Sequence, residues 1–190
     1  MDHICKNIQG WCNFYDLYNS IIDRIPQNFF FAEVGVWKGH SLAYFTVECI
    51  NKNKKGTIYA IDHWQGSAEH HNPSDPSYEP MLKDNPDGLF EHFKNNIKPI
   101  EKYVTVLRNT SEEASNIIVD QSLDAIFVDA SHEYQDVLKD LSLWRPKVKS
   151  GGIFAGHDYD WSSVRQAVHD FAQKNQLQVV PTSRACWILK

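Results

Sequence analysis

The residues of this chain able to do chemistry are acids and imidazoles that each follow a short apolar run. Glu33 closes Phe29-Phe30-Phe31-Ala32 and leads into Val34-Gly35-Val36-Trp37-Lys38-Gly39-His40-Ser41. Asp62 closes Thr57-Ile58-Tyr59-Ala60-Ile61, Asp129 follows Phe127-Val128 with His132 just beyond it, and His157 and Asp158 follow Ala155-Gly156. The first group reads as a buried strand, a glycine-bearing turn and the start of a helix. Such a turn lets a ligand approach the backbone at the positive end of a helix dipole. An acid at the tip of the next strand is placed to accept hydrogen bonds from both hydroxyls of a ribose. Together they point to a nucleoside-containing cofactor.

The type of turn narrows the choice. Gly35 and Gly39 do not form the Gly-x-Gly-x-x-Gly of dinucleotide binders, and no Gly-Lys-Ser/Thr phosphate loop is present. Glu33 would repel a pyrophosphate, whereas a carboxylate there suits the ammonium of an amino-acid moiety. That preference favours S-adenosylmethionine over NAD. Asp129, His157 and Asp158, at the ends of two strands expected to be neighbours, can converge. Two carboxylates and an imidazole suit an octahedral Mg²⁺ or Mn²⁺ site; a hydrogen-bonded loop network without metal is the alternative. The alternatives are that Gly39 serves packing alone, and that Asp129 caps the turn after its strand with His132 a surface residue.

These residues need a scaffold, and the hydrophobic periodicity supplies one. Strands are expected at 29–34, 57–61, 104–107, 123–128 and 152–155, with helices at 41–51, 88–97, 111–119, 134–144 and 162–175 between or after them. Strands at 177–180 and 185–189, joined by Pro181-Thr182-Ser183-Arg184, leave no room for a helix and predict an antiparallel hairpin. Trp11, Phe14, Tyr15, Tyr18, Ile21, Ile22 and Ile25 keep helical spacing ahead of Pro26, so a helix is expected over 11–25. The alternation predicts an α/β fold with a parallel sheet covered on both faces, in one domain spanning 1–190. Residues 65–88 hold four of the eight prolines, and this segment is expected to be a lid over the ligand crevice. His70 and His71 lie within it without a third ligand at useful spacing and read as solvated.

Composition excludes some partners. The net charge is −5 and no basic block occurs, which argues against nucleic acid. No apolar run reaches the length of a membrane span, and no signal-peptide pattern opens the chain. Cys5, Cys12, Cys49 and Cys186 lack metal or redox spacing, so reduced thiols and a cytoplasmic location are expected.

The combination Glu33-x-Gly35-x-x-x-Gly39-x-Ser41, Asp62-x-Trp64 with Gly66, Asp129-x-x-His132-x-Tyr134, and Gly151-Gly152-x-x-x-Gly156-His157-Asp158-Tyr159 resembles one group over residues 28–190. That group is the class I S-adenosylmethionine-dependent methyltransferases related to macrocin O-methyltransferases and cephalosporin-hydroxylase-like proteins. The resemblance implies a three-layer Rossmann-like fold, its seven-stranded, mainly parallel sheet closed by an antiparallel C-terminal hairpin. It implies that Glu33, Gly35, Val36, Trp37 and Gly39 hold the methionine part, with Ser41 nearby. Asp62 would take the ribose, His63 or Trp64 would lie beside the nucleoside, and Asn109 and Ser111 would lie near the adenine. Thr110 and Glu113 alternatively form a capping box that explains this turn without a ligand. Asp129 falls among catalytic, cofactor and metal positions. Asp129 and Asp158 match the metal carboxylates of metal-dependent relatives, whereas His157 stands where those relatives commonly carry a second carboxylate.

The activity implied is O-methylation of a sugar, glycan or other diol, with Mg²⁺ or Mn²⁺ as a candidate second cofactor. His132 is the candidate general base, since imidazole titrates near working pH; a metal-ligand or structural role is its alternative. Trp37, Trp64 and Trp161 are candidates for a stacking surface, Trp64 foremost. A non-catalytic cofactor- or glycan-binding module and an NAD-dependent oxidoreductase are the rival functions. The lid or a second subunit of a homodimer would complete the acceptor pocket.

Overall fold

The computed structural model describes residues 1–183 and 185–190. Seven strands form one sheet: β1 (Asn28–Val34), β2 (Lys55–Asp62), β3 (Val104–Arg108), β4 (Leu123–Val128), β5 (Val148–Gly156), β6 (Val179–Pro181) and β7 (Trp187–Leu189). Their order is β3-β2-β1-β4-β5-β7-β6. The first five are parallel, and β7 runs antiparallel to both β5 and β6. The mainly parallel Rossmann-like sheet and its terminal hairpin therefore form as expected; Arg184, expected in the segment joining the last two strands, lies outside the described residues.

The alternation of β1 divides the core. Phe29 and Phe31 face one side, where Tyr18, Ile21 and Ile22 of α1 (Tyr15–Arg24) meet Leu42 and Phe45 of α2 (His40–Asn51). Residues 81–84 form the single-turn helix α3 (Met81–Asp84), and α4 (Gly88–Ile97) adds Leu89, Phe93 and Ile97 to the same layer. Ala32 and Val34 face the other side, under α5 (Ser111–Ile117), α6 (Tyr134–Trp144) and α7 (Ser162–Lys174). A strand buried on both faces needs apolar residues at consecutive positions, which is why its periodicity is weak but its composition clear.

Two expectations change. Helix α1 starts at Tyr15, not Trp11. The Trp11 ring instead stacks on Trp37 with centroids 5.0 Å apart, and the segment before the helix crosses the carboxyl edge of the sheet. His40 Nδ1 meets the Ile8 carbonyl at 2.7 Å, and Lys38 Nζ donates to Gln9 Oε1 at 2.8 Å. Tertiary partners thus outcompete helical spacing. Segment 65–88 is also more ordered than a bare loop. It contains a 3₁₀ turn over Ala68–His71 as well as α3, buries Leu82, and is pinned by a buried Lys38–Glu79 ion pair at 2.6 Å.

At the carboxyl edge, neighbouring strand ends are tied to one another. Gly35 N donates to Ile61 O, Asp129 N to Val34 O and His157 N to Val128 O, at 2.9, 2.8 and 3.0 Å. Gly35 has φ of +84°, and a Cβ there would lie 1.8 Å from the Asp129 carbonyl oxygen. Gly156 leaves room for the Trp187 ring, whose Nε1 donates to the His157 carbonyl at 3.0 Å. Gly35→Ala is therefore predicted to destabilise the fold by about 2–4 kcal/mol, from left-handed backbone strain plus overpacking. Denaturant unfolding checks this, and a loss below about 1 kcal/mol contradicts the role assigned to the close approach.

Candidate functional site

A cavity of about 1140 Å³ opens at the carboxyl ends of β1, β2, β4 and β5. Sheets of this order present a crevice there because β1 lies between strands whose connections leave in opposite directions. The volume accommodates a nucleoside-sized ligand together with a second small molecule.

The turn after β1 forms one wall. Gly35, Trp37 and Gly39 all have positive φ, at 84°, 47° and 87°. Trp37 is not a glycine, and the surrounding bonds hold its strained conformation. Asp62 Oδ2 accepts from Val36 N and Trp37 N, both at 2.9 Å, while Trp64 Nε1 donates to the Trp37 carbonyl at 2.7 Å. Asp62 Oδ1 accepts from Trp64 N at 2.7 Å. A carboxylate offers about four acceptor directions, so Asp62 keeps about one for a ligand. Its first task is to shape the turn. Simultaneous capture of two ribose hydroxyls by Asp62 alone does not fit this geometry.

Several residues expected at the cofactor stand away from the cavity. Glu33 is fully buried beneath the turn, accepting from Tyr18 OH at 2.8 Å and Ser41 Oγ at 2.5 Å, and does not line the cavity. Burial pushes its carboxyl up to about 8, against the pull of the Ser41 and Tyr18 hydrogen bonds. A buried acid that favours its proton is not the exposed anion the ammonium argument required. Gly39 caps α2 and makes space for Phe93, whose Cδ2 would lie 3.0 Å from an added Cβ. It serves packing. Trp64 is fully buried against Phe90 and Phe93 and offers no face to a ligand. Gly35, Val36, Trp37, Ser41, Asp62, His63, Asn109 and Ser111 do line the cavity. The Thr110–Glu113 capping box is present as well, Glu113 N donating to Thr110 Oγ1 at 3.3 Å and Thr110 N to Glu113 Oε2 at 3.0 Å.

On the opposite wall Asp129, His157 and Asp158 come together, with one potential ligand atom from each lying within 4.8 Å of the others. His157 Nδ1 is 3.1 Å from Asp158 Oδ1 and 3.4 Å from Asp129 Oδ1, and its Nε2 is 3.0 Å from Asn13 Oδ1. Burial by itself would lower His157, but the two carboxylates outweigh it and raise the imidazole to about 10. Burial would raise Asp158, yet the hydrogen bonds of His132 and His157 hold it well below the usual carboxylate range. Asp129 is pushed up by burial, which outweighs its hydrogen bond with His157, and by the neighbouring Asp158 charge. The cluster thus has room for one positive charge, met either by a proton on His157 or by a cation. The donor set fits a divalent ion. With Nε2–H donated to Asn13, neutral His157 presents Nδ1 between the carboxylates, as a metal-bound histidine does when its other ring nitrogen donates to a neighbouring oxygen.

His132 joins this cluster. Its Nε2 is 3.1 Å from Asp158 Oδ2, its Nδ1 is 3.5 Å from Glu69 Oε1, and its ring stacks on Trp161 at 4.5 Å. The Asp158 hydrogen bond raises the imidazole against the effect of burial. His70, expected to be solvated, is half-buried at the cavity wall, its Nδ1 accepting from Ser67 N at 3.0 Å.

Sequence reasoning missed four contributors. Trp11 and Asn13 reach the cavity because the segment before α1 is extended; helical spacing masked this. Glu69 arrives through the turn inside 65–88, for which no periodic signal existed. Asp140 was detectable, as an acid on the apolar stripe Val137, Leu141 and Trp144.

Comparison with known proteins adds an independent line. Residues 32–159 match the family model described as a methyltransferase domain. The chain is 26% identical over 126 residues to y4gI, an uncharacterized protein of Sinorhizobium fredii, a match covering 66% of this chain and 12% of that relative. The fold is similar to that of the O-methyltransferase NovP, with a TM-score of 0.67 at 17% identity over 93% of this chain and 78% of NovP. It is also similar to SMU.1697c of Streptococcus mutans, solved in complex with SAH, with a TM-score of 0.63 at 8% identity over 95% and 98% of the two chains.

The buried acid yields a pH prediction. The Glu33 carboxyl binds its proton more tightly folded, at about 8, than at its ordinary 4.5. Its contribution to stability is therefore present below pH 4.5 and is lost as pH rises through 8. Unfolding of wild type and Glu33→Gln across this window should show wild type losing stability relative to the variant as pH rises. Parallel curves would place the titration elsewhere.

Proposed function

The chain belongs to the methyltransferase-domain family, and on that premise we propose that it is an S-adenosylmethionine-dependent O-methyltransferase acting on a hydroxyl of a sugar, glycan or other small diol. The observation that carries this reading is that the glycine turn with Asp62 and the Asp129–His132–His157–Asp158 cluster face one cavity. The motifs shared with the macrocin and cephalosporin-hydroxylase-like group favour the sugar or glycan end of that range.

S-adenosylmethionine, when bound, supplies a methyl group on a sulfonium leaving group. The chain contributes position and proton handling. Backbone at Gly35–Trp37 and the Ser41 side chain hold the amino-acid end, the remaining acceptor of Asp62 and the His63 side chain the ribose, and the Asn109–Ser111 turn the base. With Nε2–H donated to Asp158, His132 keeps Nδ1 at the cavity, 3.5 Å from Glu69 Oε1, where its lone pair takes the proton of the reacting hydroxyl. Asp158 thereby fixes the tautomer, as the carboxylate of an Asp–His pair does. Alignment of the two reactants supplies much of the acceleration. Asp129, His157 and Asp158 are the residues that would hold Mg²⁺ or Mn²⁺, an ion that lowers the pKa of a coordinated hydroxyl. The segment 65–88, through Glu69 and His70, and the N-terminal residues Trp11 and Asn13 form the acceptor side.

Calorimetric titration tests the reading. S-adenosylmethionine and S-adenosylhomocysteine should bind with Kd on the order of micromolar and NAD should not; binding of neither sulfur compound, or of NAD alone, sinks it. Parallel titrations in Mg²⁺, in Mn²⁺ and after EDTA decide the metal. Once an acceptor is in hand, His132→Ala should lower kcat by about 10²–10⁴-fold while S-adenosylhomocysteine affinity changes by less than about threefold.

A further inference from the structure

Lys38 is a buried cation placed where the glycine turn meets the two irregular segments of the cavity wall. It sits after β1, between the left-handed residues Trp37 and Gly39. Its side chain is 6% exposed and does not line the cavity. The ammonium meets Glu79 Oε1 at 2.6 Å and donates to Gln9 Oε1 at 2.8 Å, with the Trp37 ring centroid 4.6 Å away. Glu79 belongs to the segment 65–88 and Gln9 to the chain before α1, so one side chain holds both. An exposed ion pair would contribute little, but the Glu79 side chain is also buried. Removing either ion leaves the other charge uncompensated.

Both bonds lead on to residues of the cavity. Glu79 N donates to the His70 carbonyl at 2.9 Å, which holds the turn that carries Glu69 beside His132. Gln9 lies between Ile8, whose carbonyl meets His40 Nδ1, and Gly10, where a Cβ would lie 2.5 Å from the His40 Cβ. Two residues on, Trp11 stacks on Trp37. The turn itself is tied to α4, the Lys38 carbonyl accepting from Asn96 Nδ2 at 3.0 Å. A ligand that restrains the strained turn therefore restrains the ammonium, and through it both segments.

Resting on the S-adenosylmethionine reading above, we infer that Lys38 is a positioning residue that couples occupancy of the glycine turn to the seating of the segment 65–88 and of the chain before α1. Lys38 touches neither reactant. Its two bonds act separately, Glu79 on one segment and Gln9 on the other. The coupling is reciprocal, so seated segments also hold the cofactor more tightly.

The test is hydrogen exchange, read by mass spectrometry on wild type, Lys38→Met, Glu79→Gln and Gln9→Ala, each free and saturated with S-adenosylhomocysteine. In wild type the ligand should slow exchange across 34–39 and, by about fivefold or more, in both 5–14 and 65–88. Glu79→Gln should lose the slowing in 65–88 alone, Gln9→Ala in 5–14 alone and Lys38→Met in both, while slowing at 34–39 persists in all three. A pair that serves only the fold, or direct contact of the ligand with the segments, would leave the ligand-induced slowing intact in the variants, and that result overturns the inference. Wild type that binds the ligand without slowing either segment overturns it as well, with the cofactor reading left standing. Absence of calorimetric binding to wild type overturns the cofactor reading and the inference with it. If Lys38→Met does not fold, Glu79→Gln and Gln9→Ala decide segment by segment.

Discussion

The site depends on the grip of the Asp62 carboxylate on the backbone. Three amides converge on it, from Val36, Trp37 and Trp64. Without that anion, the left-handed Trp37 between Gly35 and Gly39 would lose the bonds that offset its strain. The same turn presents Lys38 to Glu79 and Gln9, offers the Trp37 ring to Trp11, and starts α2 beneath the cavity. One acid at a strand tip thus aligns the glycine-turn wall of the cavity, the segment before α1 and the segment over the crevice.

A second constraint is charge. Asp129 and Asp158 sit close together at the ends of adjacent strands, and two such carboxylates in a partly desolvated site need a counter-charge. His157 stands between them and supplies it as an imidazolium, or yields to a divalent ion while Asn13 holds its other nitrogen. Asp158 also reaches His132. The residue that bridges the cluster to the candidate base is therefore shared between charge balance and proton handling. This coupling gives His157, at a position where metal-dependent relatives commonly place an acid, a physical role of its own.

The walls of the cavity differ in how they are held. One side is strand-end backbone, cross-linked from β2 to β5. The other is built from irregular chain anchored at a few points: the buried Lys38–Glu79 pair, the His40–Ile8 contact and the Glu69–His132 approach. Rigid scaffold on one side and adaptable segments on the other is a division that loop-borne specificity commonly uses.

The sequence alone determined a parallel sheet and its terminal hairpin, because strands buried on both faces require continuous apolar runs, which composition displays even where periodicity is weak. It also placed Asp62, Asp129, His132, His157 and Asp158 at strand ends, and so on one edge of the sheet. Tertiary structure alone decided which atoms of those residues face the cavity. Glu33 looked like a ligand anion and is a buried acid bonded to Tyr18, because alternation along β1 turns it into the helical layer. Trp64 looked like a stacking ring and is core, whereas Trp11 looked like core and lines the cavity. Such assignments rest on contacts between residues distant in the chain, such as Trp11 with Trp37 and Asp140 with Ser111, and local spacing carries no record of them.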